Sequence, residues 1–212
     1  MRFLLILLVI CLSVGGAYWY WTTTPQYSIE QVKVAVKAHD LPKFREYFDV
    51  DSVSDRMVDD FLSPPMQQLG PHNSLLAGIV QGLVDGLVKP TLTPVVKEEV
   101  EQFVIGGKFS HSQTDASLPA GRPTLATFDK KFGFRNHAFR SIKYVKIDGD
   151  SAITGLVFHN EVYQADLLLE LKMRKVENHW QVMQLTNFPD FVANIAQLQL
   201  NRVPTATPPA RK

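Results

Sequence analysis

Tyr163, Ala165, Leu167, Leu169, Leu171 and Met173 stand at every second position, and Gln164, Asp166, Glu170, Lys172 and Arg174 fill most of the places between them. A period of two sends successive side chains to opposite faces of a strand, so this stretch must lie extended with one face buried and one wet. Its neighbours are close at hand. Ser141 to Ile147 and Ser151 to His159 read as strands separated by Asp148-Gly149, a two-residue hairpin signal. Asn160-Glu161 and Glu177-Asn178 read as further turns, with Trp180 to Thr186 as the last strand. The pattern predicts a four-stranded antiparallel meander.

Everything before it repeats at helical spacing. Ser28 with Gln31 forms a capping box, and Tyr27 with Val32 suits a hydrophobic staple, so a helix is expected from Ser28 to about His39. Asp40 caps a second helix that carries Pro42 in its first turn and Phe44, Tyr47 and Phe48 inward. Asp51 is expected to cap a third, with Val53, Met57, Val58 and Phe61 apolar, ended by Ser63-Pro64-Pro65. Thr93-Pro94 opens another helix that ends at Gly106-Gly107, with Lys97, Glu98, Glu99, Glu101 and Gln102 as its solvated face. Lys108 to Thr127 reads as a long polar loop, and Pro189 to Leu200 as a terminal helix with Phe191, Val192, Ile195 and Leu198 inward. Helices followed by a meander predict an α+β fold, several helices packed on a curved four-stranded sheet, with a C-terminal helix.

The first residues obey another rule. Phe3 to Tyr20 carries no charge, and Arg2 precedes it, whereas the next basic residue is Lys33. Such a segment approaches the roughly 20 apolar residues that cross a bilayer, and the charge asymmetry sets the N-terminus inside and the domain outside. Tyr18, Trp19, Tyr20 and Trp21 suit the outer interface. The competing expectation is a cleaved signal peptide, with Gly15 and Ala17 before a cut ahead of Tyr18 and the chain secreted to the periplasm. The expected organisation is residues 1–21 as anchor or signal peptide, 22–27 as tether, 28–200 as a single α+β domain and 201–212 as a disordered tail.

Composition narrows the partners. Lys plus Arg number 22 and Asp plus Glu 21, so setting Arg2 aside with the apolar segment leaves the domain formally neutral. Nucleic acid is therefore not the expected partner, because its binding rests on phosphate neutralisation. The single cysteine, Cys11, lies in the apolar segment, which leaves the domain without disulfides. The histidines, His39, His72, His111, His137, His159 and His179, form no zinc-ligand spacing, and there is no nucleophile elbow, phosphate loop or dinucleotide fingerprint. No catalytic, cofactor or metal residues are assigned. His159 shares a strand face with Ile153 and Val157 and is read as pointing inward, as a satisfied core residue or, less commonly, as a base in a pocket, whereas Asp166 lies on the polar face.

Two stretches carry candidate contacts. From Lys130 to Lys146, the basic residues Lys130, Lys131, Arg135, Arg140, Lys143 and Lys146, interleaved with Phe132, Phe134, Phe139 and Tyr144, suit anionic lipid headgroups or envelope polyanions, with Lys130, Lys131, Arg135 and Arg140 as the candidate contacts; the plainer reading is a solvated strand face beside a buried aromatic edge. Gly78, Gly82 and Gly86 recur every fourth residue, a stripe on which another helix can pack closely, inside the domain or between copies.

Several short matches fall together: Tyr27-Ser28 with Gln31 and Ala35, His39-Asp40, Phe44, Tyr47, Val50-Asp51, Leu87-Val88, Thr93-Pro94, Trp180-Gln-Val182 and Leu185-Thr-Asn187. On these the chain resembles a family of bacterial envelope proteins built from an N-terminal anchor and a domain of unknown function, departing from it at Val95-Val96, where Glu-Gly is expected. In architecture, Asp40 to Phe44 followed by a Trp-ended meander is similar to the cone folds of nuclear transport factor two and ketosteroid isomerase. The envelope family carries no known activity; the expectation of a membrane-tethered, non-catalytic binding or accessory module that meets an envelope protein, lipid or glycan rests on the apolar N-terminal segment, the lack of catalytic constellations and the basic, aromatic stretch. The second resemblance implies a pocket-bearing enzyme or small-ligand carrier. A self-associating structural protein built on the glycine stripe is the third expectation.

Overall fold

A computed structural model describes residues 2–62, 89–107 and 137–202. Its described elements, in chain order, are α1 (Arg2–Thr22), α2 (Pro25–Ala38), α3 (Leu41–Tyr47), α4 (Val50–Leu62), α5 (Lys89–Gly106), β1 (His137–Asp148), β2 (Ser151–Asn160), β3 (Ala165–Val176), β4 (His179–Leu185) and α6 (Phe188–Arg202). The strands form one antiparallel sheet in the order β1-β2-β3-β4. The chain is α+β, with the meander that the alternation predicts.

Local chemistry moves several boundaries. α2 starts at Pro25, whose fixed φ suits a first turn, and Thr24 caps it by accepting the Tyr27 N–H at 3.3 Å. Ser28, expected as the cap, lies inside the helix and fully buried, where its Oγ accepts the backbone N–H of Trp180 at 2.9 Å. α3 is capped as expected, Asp40 accepting from the Lys43 N–H at 3.0 Å. α4 is capped by Asp49, not Asp51: its carboxylate takes the Ser52 N–H and hydroxyl, both at 2.9 Å. α5 begins at Lys89, which leaves Pro94 inside the helix. Glu99, expected on a solvated face, is fully buried, and Lys97 and Glu101 reach across to Asp51 and Arg45. The first hairpin turns on Gly149-Asp150, one residue later than expected, with Gly149 supplying the positive φ of 56°.

α2 ends on a left-handed residue that is not glycine. His39 has φ 56°, the Asp40 N–H returns to Ala35 O at 2.9 Å and the His39 N–H to Val36 O at 3.3 Å. The His39 ring holds the conformation by bonding Val104 O of α5 through Nδ1 at 2.8 Å. Gly107, φ 65°, ends α5 beside that ring.

The core lies between one face of the sheet and the helices. Ala152, Leu156, Leu171, Met173, Trp180 and Val182 of the sheet pack with Ile29 of α2 and Val53 of α4. α6 covers the far end of the same face, with Phe188, Phe191, Val192 and Ile195 against Leu167. A third cluster joins Ala35, Phe44, Val50 and Val104. Met173, Val182, Val192 and Ile195 are completely buried.

α1 and α2 are separated only by Thr23 and Thr24. Among the described residues no single helix is long and apolar enough to cross a membrane; Ile6–Thr22 and Pro25–Ala38 suffice by length and composition only together, bent by 72°. The glycine stripe Gly78, Gly82 and Gly86, the loop 108–127 and the tail from 203 lie outside the described residues.

Candidate functional site

The opposite face of the sheet carries a polar cluster that two irregularities in β1 create. The register between β1 and β2 slips between Phe139 and Ser141, and again between Ile142 and Tyr144. A bulge bends its strand and re-aims side chains. The first slip turns Arg140 across β2 to Asp166 of β3, with Nη1 at 2.6 Å from Oδ2. The second brings Tyr144 opposite Gly155 of β2, and its hydroxyl donates to Oε1 of Glu170 on β3. β1 is thus tied to β3 over the top of β2.

β2 supplies what each bridge needs beneath it. His159 pairs with Asp166 in the β2–β3 register, and its Nδ1 stands 2.7 Å from Asp166 Oδ1. Gly155 lets the Tyr144 ring lie flat across the strand; a β-carbon there would stand 2.6 Å from Tyr144 Cζ. Glu170 is held further by Thr186, whose hydroxyl reaches its Oε2 at 3.3 Å, and by Asn187, which accepts its N–H at 2.7 Å. Lys146 sits over the Tyr144 ring at 5.0 Å.

The electrostatics are those of an open surface. Side-chain exposure is 60% for Arg140, 44% for Asp166 and 30% for His159. The His159 hydrogen bond, and then Arg140, hold the Asp166 carboxyl below its ordinary 3.8. The bond to Glu170, with some desolvation, raises the Tyr144 hydroxyl above 10.0. Among the described residues no group of three His, Cys, Asp or Glu is placed to hold a metal ion.

Asp166 gives a direct check. Its folded value lies below the unfolded one, so its ionisation stabilises the fold above about 3.8, and that contribution is lost as pH falls through the folded value. Carboxyl-detected NMR should give an Asp166 midpoint below 3.8, rising towards 3.8 in His159→Ala and by less in Arg140→Ala. A midpoint at or above 3.8 in the wild-type chain would show that these bonds do not form in solution.

Of the basic residues singled out from sequence, Arg140 is in this cluster, and Lys130, Lys131 and Arg135 lie outside the described residues. Phe139 is in the core wall, edge-on to Phe158 and beneath Lys33, whose Nζ is 4.4 Å from the ring centroid. His159 does share a face with Ile153 and Val157, but that face is the one turned away from the helices, so the ring points outward. The pairing of His159 with Asp166 has a signal in the sequence, though not one that either residue carries alone. A tight turn after Asn160 folds those two positions opposite each other. Compared with known proteins, the chain matches no family model, no curated protein and no solved structure.

Proposed function

We propose that this chain is a membrane-tethered, extracytoplasmic binding or accessory module of the bacterial cell envelope, anchored by α1 and meeting an envelope protein, lipid or glycan through its α+β domain. The observation that carries the reading is the bareness of α1. Leu7, Leu8, Val9 and Ile10 occupy consecutive positions, which at about 100° per residue cover the whole circumference of a helix, and each is 49–61% exposed. Keeping a Leu, Val or Ile side chain in water costs about 1.5–3 kcal/mol, so such a segment requires a nonpolar medium on every side. Taken from Ile6, α1 is too short to cross alone; counted from Arg2 it has 21 residues, and at 1.5 Å per residue that is about 31 Å, near the roughly 30 Å of a hydrocarbon core. The exposed Tyr18, Trp19, Tyr20 and Trp21 lie at the end joined to the domain. Arg2 on the other side favours an inner-membrane span with the domain outside.

Recognition, rather than turnover, is the activity that fits the outer sheet face. Its charged groups, Arg140 and Asp166 exposed and Glu170 half-buried, are engaged with neighbouring side chains across three strands. General acid–base chemistry favours groups within reach of an enclosed substrate, whereas an open, braced polar sheet suits contact with a second surface.

The test uses the full chain expressed in a bacterium. It should stay with the membrane through alkaline carbonate extraction, and externally added protease should remove the domain after the outer membrane is permeabilised. Crosslinking at the sheet face should capture an envelope component. Release by carbonate, or turnover of a small molecule by protein that captures no envelope component, would overturn the reading.

A further inference from the structure

We infer that α2 is an interfacial helix, lying flat on the bilayer that α1 enters and resting the face of Glu30, Val34 and Lys37 among the lipid headgroups. The inference rests on the reading of α1 as a span and adds to it a fixed pose for the domain.

The argument is geometric. α1 and α2 bend by 72°, so when α1 stands along the membrane normal α2 lies about 18° off the membrane plane. α2 has 14 residues, or about 21 Å at 1.5 Å per residue. Its far end therefore rises only about 6 Å above its start, and an ordinary α1 tilt of about 20° changes that by about 7 Å either way. The headgroup layer on each side of the hydrocarbon is of similar depth, about 5–8 Å. Rotation of the molecule about α1 does not alter this height.

The joint that sets the bend is braced. Only Thr23 and Thr24 separate the helices. Trp180 Nε1 donates to Thr23 O at 2.9 Å, and the Trp180 backbone N–H donates to Ser28 Oγ at 2.9 Å. The first turn of α2 and the linker are therefore both fixed to β4.

The side of α2 left for lipid is the one that the domain does not cover. Pro25, Ser28, Ile29 and Ala35 are buried against the domain. At 100° per residue the opposite side holds Glu30, Val34 and Lys37. Val34 is 46% exposed, a β-branched apolar side chain left bare, and Lys37 beside it is exposed. A bare valine next to a lysine suits the boundary between headgroups and acyl chains, with the amine on phosphate.

The experiment reconstitutes the full chain in phosphatidylcholine–phosphatidylglycerol vesicles and attaches an environment-sensitive fluorophore at one cysteine at a time. The sites are native Cys11, Val34→Cys, and Lys172→Cys on the exposed outer face of β3, the last two in a Cys11→Ser background. Interfacial helices sink about 5–10 Å into the headgroup boundary, so a headgroup spin label should quench the position-34 probe about twofold more than the position-172 probe. Acyl-chain spin labels should quench the Cys11 probe. Position 34 quenched no more than position 172, with Cys11 quenched, would overturn the flat pose while leaving the span intact. An unquenched Cys11 would overturn both.

Discussion

Trp180→Ala should destabilise the domain by about 3–5 kcal/mol, the usual cost of emptying a large aromatic site in a packed core. Trp180 is 3% exposed and packs with Ile29, Val53, Met173 and Val182. Two hydrogen bonds add to that packing, one from its indole to Thr23 O and one from its backbone to Ser28 Oγ. They separate experimentally. Trp180→Phe keeps most of the apolar area; it loses the indole bond and leaves a small void, together about 1–3 kcal/mol. Ser28→Ala strands a buried backbone N–H and should cost about 1–3 kcal/mol. Denaturant unfolding of the three variants ranks them, and a loss below about 1 kcal/mol in Trp180→Ala would remove the clamp between tether and sheet from the account.

The clamp also shows where sequence reading stops. The alternation from Ala165 to Met173 marks β3 and its inner face because a buried strand face enforces period two; Tyr163 and Gln164, expected in the same strand, lie in the turn before it, where Gln164 takes φ 52°. Asp40 with Pro42 marked the start of α3 for an equally local reason. Ser28 has the same local look, a small hydroxyl residue ahead of an apolar stripe, but its partner is 152 residues away. Nothing within a helical turn of Ser28 signals that, and Pro25 three positions earlier takes over the start. Asp51, expected as a cap, lies inside the first turn of α4, and the backbone geometry gives the cap to Asp49, two residues earlier. Glu99 sits in a run of charges, and its burial comes from the packing of α5 against α2, α3 and α4, not from its neighbours in sequence.

The outer cluster was half legible for a related reason. Period two assigns Asp166 and Glu170 to one face of β3, and the turn after Asn160 pairs His159 with Asp166. Arg140 and Tyr144 escape because the β1 bulges interrupt the very period that would have placed them. The stretch from Lys130 to Lys146 looks from sequence like one basic, aromatic surface. Within its described part, Phe139 is a core residue, whereas Arg140 and Tyr144 bridge to β3. The stretch is therefore divided between two faces, Phe139 on the core side and Arg140, Tyr144 and Lys146 on the outer one.

Gly155→Ala tests that arrangement at its narrowest point, and the sign of its effect is the informative part. On propensity alone the change should help, since replacing glycine by alanine reduces unfolded-state freedom and commonly contributes about 0.4–1 kcal/mol. Here the new methyl would stand 2.6 Å from Tyr144 Cζ and 2.7 Å from Cε1, so the ring must lift and its bond to Glu170 must break. Crowding of this kind costs about 1–3 kcal/mol, which exceeds the entropic gain, so net destabilisation is expected. The Tyr144 hydroxyl reports the same event independently. With the Glu170 bond broken, its titration should fall back towards 10.0, readable by ultraviolet absorbance. In a Tyr144→Ala background the same glycine change should become neutral or stabilising, because the obstacle is gone and the two sites couple only through the ring. If Gly155→Ala leaves both stability and the tyrosine titration unchanged, the ring does not cross β2, and the outer face is a loose set of surface pairs. If the coupling appears, β1 and β3 are joined over Gly155, and the sheet presents a pre-ordered polar surface whose side chains have already lost the freedom that a partner would otherwise have to restrain.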